Sequence, residues 1–165
     1  MIIGLSKSEA EENTEAVFLK DLAVFFSRMP FAMVTTFGNI VKAFDEELND
    51  SNNINGDAKA TIKYFLGKLV RSLNVFFDIY EKPVLKNYII SPGNLIMMSE
   101  ALEKTLRAYR LLVTEDLNSD GTTVNNIASY LEDASALIER VTITAISELT
   151  EKLASSNCVQ QLQGS

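Results

Sequence analysis

The chain contains no histidine, and Cys158 is the single cysteine among its 165 residues. Without histidine it cannot form a Ser-His-Asp triad, a histidine general acid or base, or a histidine-bearing zinc site. The Glu-x-x-His motifs of di-iron bundles are excluded for the same reason. One cysteine cannot form an intrachain disulfide, which agrees with a reducing compartment, so we predict a cytoplasmic protein.

Proline and glycine are scarce, with three and seven residues respectively. Their scarcity leaves little material for the turns of a sheet protein and favours the all-α class. The glycines are scattered singly and form no phosphate-binding loop, and Gly67 is expected to let a neighbouring helix approach closely. No segment reaches the roughly 20 consecutive apolar residues of a membrane span. The length fits a single domain that covers residues 1–165.

Basic residues are outnumbered, with 15 Lys and Arg against 22 Asp and Glu and a formal net charge of −7. Residues 51–90 are the exception, because they carry six bases and three acids. We expect acidic neighbours in the fold to neutralise most of this basic segment. Since the rest of the chain would repel a polyanion, the sequence predicts no nucleic-acid partner.

Hydrophobic side chains make up 47% of the residues, and they recur at the steps of three and four that are typical of helices with one apolar face. We therefore predict an antiparallel bundle of four to five helices. The number of helices depends on two places in the chain. Pro30 separates the first two helices, and a short apolar segment after Pro83 could add helical turns of its own. The predicted helices cover approximately 9–29, 31–48, 57–81, 92–115 and 122–154, followed by a polar tail at 155–165 that we expect to fray.

The helix predicted at 92–115 has a strong start signal. Ser91 supplies a capping hydroxyl, and Pro92 follows at the first helical position, where its missing N–H costs nothing. The inward line of this helix is predicted to include Leu106 and Val113.

The predicted central helix, 57–81, also has a distinct outer face. Lys68 and Arg71 lie opposite the apolar side in helical projection, beside Tyr64 and Val75. This arrangement forms a small basic surface, so Tyr64, Lys68 and Arg71 are candidate interaction residues.

The last predicted helix is longer than the others. If it is continuous over 122–154, it measures roughly 50 Å, against roughly 30 to 38 Å for its neighbours. Part of it should then overhang, and Leu149 and Leu153 would offer apolar surface to a second subunit or a partner helix. Residues 142–144 favour strand geometry locally, so a bend at that point is the alternative.

Residues 116–121 match the first six positions of a calcium-binding helix-loop-helix loop. Asp116, Asn118 and Asp120 are the candidate calcium ligands. The match fails at position twelve, where a bidentate glutamate is needed and Ile127 occurs instead. The apolar line of the last helix also requires Ile127, so the pattern is better explained as a polar interhelical loop.

Pairs of carboxylates at helical spacing are candidate magnesium ligands, because all-helical nucleotide hydrolases hold magnesium with such pairs. The pairs are Glu12 with Glu15, and Glu100 with Glu103. Glu12 and Glu15 also fit an acidic first helical turn, where the helix dipole favours them. Glu103 has a candidate ion-pair partner in Arg107, four residues on.

An apolar small ligand is a further alternative, bound in a pocket lined by phenylalanine. The same side chains fit ordinary aromatic core packing, which the helical spacing favours. They are Phe18, Phe25, Phe26, Phe37, Phe44, Phe65, Phe76 and Phe77.

Catalytic residue types are sparse in this chain, and the last helix is expected to overhang. The sequence therefore favours a non-enzymatic protein–protein interaction or regulatory module, without a cofactor, which includes self-association through the long C-terminal helix. The alternatives are a carboxylate and magnesium-dependent hydrolase of a small molecule such as a nucleotide, and the binder of an apolar ligand.

Overall fold

A computed structural model describes residues 17, 21, 30–51, 54–81, 91–118 and 121–163 of the chain. Of these residues 93% are helical and none lies in a strand, which confirms the all-α prediction. The helices are α1 (Pro30–Asp50), α2 (Gly56–Glu81), α3 (Pro92–Thr114) and α4 (Gly121–Gln163).

The start of α3 shows how the local sequence sets a helix boundary. Ser91 has an extended backbone, and its Oγ accepts a hydrogen bond from the backbone N–H of Asn94 at 3.4 Å. Pro92 is the first helical residue, where no intrahelical N–H bond is lost. At the other end the extended residue Glu115 closes the helix by donating its N–H to the carbonyl of Leu111.

The helix predicted at 9–29 lies outside the described residues, apart from Val17 and Asp21, which are both helical. The magnesium candidates Glu12 and Glu15 belong to that segment.

The last helix differs from its prediction at its C-terminal end. The structure has one helix of 43 residues from Gly121 to Gln163, so the tail predicted to be frayed is helical through Gln163. The sequence from 155 to 163 contains no glycine or proline that would stop a helix, and Gly164 is the first such residue. Helix α4 also passes without interruption through 142–144, where the Thr142 and Thr144 hydroxyls each donate to the carbonyl four residues earlier at 2.9 Å.

The core consists of apolar side chains from all four helices. Their spacing of three and four residues gives each helix one buried face, as the periodicity predicted. The largest fully buried side chains are Met33, Phe37, Phe44, Leu48, Ile62, Leu69, Phe76, Met98, Leu102, Ile127 and Leu131.

The buried face of α3 is rotated relative to its predicted line. Leu106 and Val113 are exposed, whereas Thr105, Ala108 and Leu112 are buried. Small side chains thus occupy part of the buried face of α3, and α3 as a whole packs closely against α4. The prediction followed the largest apolar residues and therefore missed the contribution of alanine and threonine.

Helix α4 packs most closely against α3 and α2, while α1 packs less closely on α2 and α3. Helices α3 and α4 both bury small residues, among them Ala101, Ala108, Ala134 and Ser135. Small side chains let helix axes approach, whereas the buried rings of α1 keep its backbone farther from its neighbours. The buried Ser135 hydroxyl donates to the carbonyl of Leu131 at 3.0 Å, so it needs no partner across the interface.

The directions of the helices follow from a contact between two connections. The backbone N–H of Asn55, between α1 and α2, donates to the Asn118 side-chain oxygen, between α3 and α4, at 2.9 Å. Helices α1 and α3 therefore end, and α2 and α4 begin, at the same end of the molecule. As a result α2 and α4, which pack against each other, run in the same direction.

Gly67 does not lie at a close approach between the helices that the structure describes, contrary to the prediction. Among the described residues, a Cβ at Gly67 would meet only the flexible Arg71 Nη1 at 3.6 Å, and a Cβ at Gly38 would meet no atom within 4 Å. Gly67→Ala and Gly38→Ala should each raise the free energy of unfolding by roughly 0.5 to 1 kcal/mol, because alanine costs less backbone entropy in a helix interior. Urea unfolding would measure this gain, with Gly56→Ala at the first residue of α2 as the comparison of smaller effect. A loss of stability at Gly67→Ala would contradict the packing described here.

Candidate interaction surface

A groove of about 380 Å³ runs between α2 and α4 on the surface. Val75 on α2 and Ile143 on α4 are its apolar residues, and they are 52% and 69% exposed. Ile146, one turn beyond Ile143, is 44% exposed. The groove is lined by Arg71, Ser72, Val75, Glu139, Thr142 and Ile143.

Two polar contacts between α2 and α4 show which residues of the two helices lie at the same level, that is, at the same position along the helix axes. Lys68 Nζ lies 3.5 Å from Glu132 Oε1, and the Ser72 hydroxyl donates to Glu139 Oε1 at 3.3 Å. The Lys68–Glu132 pair is exposed to solvent, so its contribution to stability is small. Together the two contacts place Lys68 and Ser72 of α2 beside the acidic residues Glu132 and Glu139 of α4.

The two sides of the groove carry opposite charges. Lys68 and Arg71 lie on α2, and Glu132 and Glu139 lie on α4. Arg71 is exposed and makes no ion pair within the residues that the structure describes. The groove therefore has a basic side and an acidic side, with apolar residues one turn farther along both helices.

The predicted interaction residues on α2 lie on this face or beside it. Tyr64 is 62% exposed, and its ring makes an edge contact with the ring of Phe65, with the two ring centroids 5.1 Å apart. Lys68 forms the contact to Glu132, and Arg71 lines the groove.

The predicted interaction residues on α4 lie near the end of α2. Ser72 is level with Glu139, so Glu81, the last residue of α2, is level with about residue 148, and α4 continues for roughly 20 Å beyond it. Leu149 is half-buried at that point. The backbone of Leu153 belongs to α4, while its side chain is outside the described part.

The side chains of the candidate calcium ligands Asp116 and Asn118 both accept hydrogen bonds from backbone N–H groups. Asp116 Oδ1 accepts from the backbone N–H of Asn118 at 3.0 Å, and Asn118 Oδ1 accepts from Asn55. Asp120 is not among the described residues. Ile127, where the calcium motif needs glutamate, is fully buried. The Asp116 bond shapes the loop itself and the Asn118 bond joins the two connections at this end of the molecule, so both have a structural role.

The carboxylate pair on α3 is divided between two environments. Glu103 is largely buried, and its Oε1 accepts from Arg107 Nε in the ion pair predicted from the sequence. Glu100 instead lines a second surface groove, of about 240 Å³, between α3 and α4. Bases and acids alternate there, with Lys104 and Arg140 beside Glu100 and Asp133.

Within the described part of the chain, no group of three or more His, Cys, Asp or Glu side chains is placed to hold a metal ion. The same residues include no helix with both the length and the apolar character needed to cross a bilayer.

The described phenylalanines of the ligand hypothesis are buried in the core or are partly buried and pack against it. Phe37, Phe44 and Phe76 are among the largest fully buried side chains. Phe44 packs against Tyr109 with ring centroids 6.0 Å apart, and Phe76 against Phe77 at 5.6 Å. Phe18, Phe25 and Phe26 lie outside the described residues.

The sequence predictions missed the α4 side of the groove. The sequence predictions treat residues 142–144, which include Ile143, only as a possible bend in the helix. They do not include Glu139 or Ile146 among the candidate interaction residues. A signal was present, because Ile143 and Ile146 are apolar residues off the inward line of α4 at a helical spacing of three. Their position beside Val75 depends on the packing of α2 against α4.

Comparison of the chain with protein-family models, with curated proteins and with solved structures gives no match.

Proposed function

We propose that this chain is a non-enzymatic protein-interaction module, and that the groove between α2 and α4 is the surface that binds a protein. The observation that carries the proposal is the exposure of Val75, Ile143 and Ile146 on adjoining turns of two packed helices. Single exposed apolar residues are common, but a cluster beside a groove is typical of a surface that a partner covers.

The polar residues around this cluster support a protein partner. An interface usually has apolar residues at its centre and charged residues at its rim. Here Val75 and Ile143 are flanked by Arg71 and Glu139, whose opposite charges would orient a partner.

The proposal includes the arrangement of the whole chain. Helices that follow one another in sequence run antiparallel in a bundle, and α4 extends past the ends of its neighbours, where Leu149 and Leu153 would enlarge the binding surface. The protein would act in the cytoplasm, where a single cysteine such as Cys158 stays reduced.

We expect a photo-crosslinking amino acid at position 143 to form protein adducts in the cells that naturally produce the chain. The adducts should be several-fold more abundant than with the same amino acid at position 113, because only position 143 lies on the proposed surface. Mass spectrometry of the purified adducts would identify what is attached.

Val113 is the matched control, since it is 45% exposed on α3 and does not line the groove. Equal adduct formation at both positions, or none at position 143, would contradict the proposed function.

A further inference from the structure

We propose that the occupant of the groove is a second copy of this chain, related to the first by a two-fold axis parallel to α2 and α4. This inference rests on the proposed function, because it names the partner of that same surface. Its basis is the charge pattern of the two helices, which is complementary to itself under one particular rotation.

The rotation follows from the parallel direction of α2 and α4. A half-turn about an axis parallel to both helices places α2 of one copy over α4 of the other without changing the level along the helices. Since Ser72 is level with Glu139, Arg71 of each copy would then face Glu139 of the other. Lys68 would likewise come to the level of Glu132 of the second copy.

The same half-turn also brings the apolar residues of the two copies together. Val75 and Ile143 line the groove at the same level on opposite helices. In the proposed dimer, Val75 of each copy therefore covers Ile143 of the other. Two exposed apolar side chains per copy would become buried at the centre, with the charged pairs beside them.

A two-fold axis that is perpendicular to the helices and level with Lys68 and Arg71 is disfavoured by charge. That axis would place α2 over α2 and α4 over α4. The basic residues Lys68 and Arg71 of one copy would then approach those of the other, and Glu132 and Glu139 would do the same. Opposed like charges strongly disfavour an interface at this level, whereas the parallel axis brings Arg71 and Glu139 of different copies together.

The face is large enough for a specific dimer. Helix α2 has 26 residues and is therefore roughly 39 Å long. Two packed helices present a width of roughly 20 Å, so the face covers on the order of 800 Å², which is typical of one side of a standard protein interface.

The test uses sedimentation of the full chain and two single charge reversals. The native chain should sediment as a dimer at high micromolar concentration. Arg71→Glu and Glu139→Arg alone should each raise the dimer dissociation constant at least about tenfold, because each creates two like-charged contacts. An equimolar mixture of the two variants should recover dimers, since both contacts in the mixed dimer join opposite charges.

Recovery in the mixture is decisive, because only contact between chains can produce it. Arg110→Glu, which makes the same charge change on an exposed residue of α3, should leave the dissociation constant unchanged. Ile143→Asp should abolish the dimer, and circular dichroism should show that every variant keeps its helices.

A native chain that remains a monomer, a dimer insensitive to both reversals, or a mixture without recovery would overturn the inference. The crosslinking experiment separates this failure from that of the proposed function. Adducts at position 143 with a different protein would contradict the dimer, and they would support the proposal that the chain is a protein-interaction module. The absence of any adduct with another chain at position 143 would overturn both the dimer and the proposed function.

Discussion

Ile127→Glu should lower the free energy of unfolding by roughly 4 to 7 kcal/mol, because it removes a fully buried aliphatic side chain and places a carboxylate in the core. Domains of this size have a total stability of about 5 to 15 kcal/mol, so the variant should be largely unfolded at physiological temperature. Thermal unfolding followed by circular dichroism would measure the loss.

The same variant tests the calcium hypothesis. Ile127→Glu restores the glutamate that the loop motif lacks, so a true calcium site would regain stability when calcium is added. We expect millimolar calcium to leave the midpoints of the native chain and of this variant unchanged. Ser129→Glu introduces the same carboxylate at an exposed position of α4 and should change stability little. A large upward shift with calcium would show that the loop is a calcium site.

Arg107→Ala should lower the free energy of unfolding by roughly 2 to 4 kcal/mol, because it leaves the buried carboxylate of Glu103 without its cation. The expected loss is below that of a wholly buried pair, since the Arg107 side chain is 43% exposed. Glu103 Oε2 is buried and has no hydrogen-bond partner in the described part of the chain, so the pair compensates only part of the desolvation cost. Urea unfolding at constant pH would measure the effect.

The double variant Glu103→Met with Arg107→Ala separates charge from packing. Methionine fills a similar volume without a charge, so the double variant should recover most of the stability that Arg107→Ala loses. Arg110→Ala, which truncates an exposed arginine on the same helix, should have little effect. If the double variant were as unstable as Arg107→Ala alone, the loss would come from the other contacts of Arg107 and not from the unpaired carboxylate.

The proposed surface and the buried Glu103 pair use charge in different ways. Glu103 and Arg107 belong to the same helix, four residues apart, and the sequence alone predicted their contact. Arg71 and Glu139 lie on different helices, and their position on opposite sides of one groove was not predicted. Local spacing decides the first contact, whereas helix packing decides the second.

The sequence by itself determined the all-α class, the apolar spacing that gives each helix one buried face, and the capped start of α3. These features depend on interactions over three or four residues, such as the bond between Ser91 and Asn94, so they can be read from spacing and residue type. Where burial depended on a neighbouring helix, the sequence was less reliable. Leu106 and Val113 are exposed, and smaller residues of α3 such as Thr105 and Ala108 are buried.

The tertiary structure alone decided that α2 packs beside α4 and that both run in the same direction. Residues 72 and 139 are far apart in sequence, and periodicity within each helix carries no information about which levels of two helices meet. The groove, its opposite charges and the exposed pair of Val75 and Ile143 all depend on that packing. The physical reason is that a helix specifies its own faces locally, while its partner and register depend on how all the apolar faces are buried together.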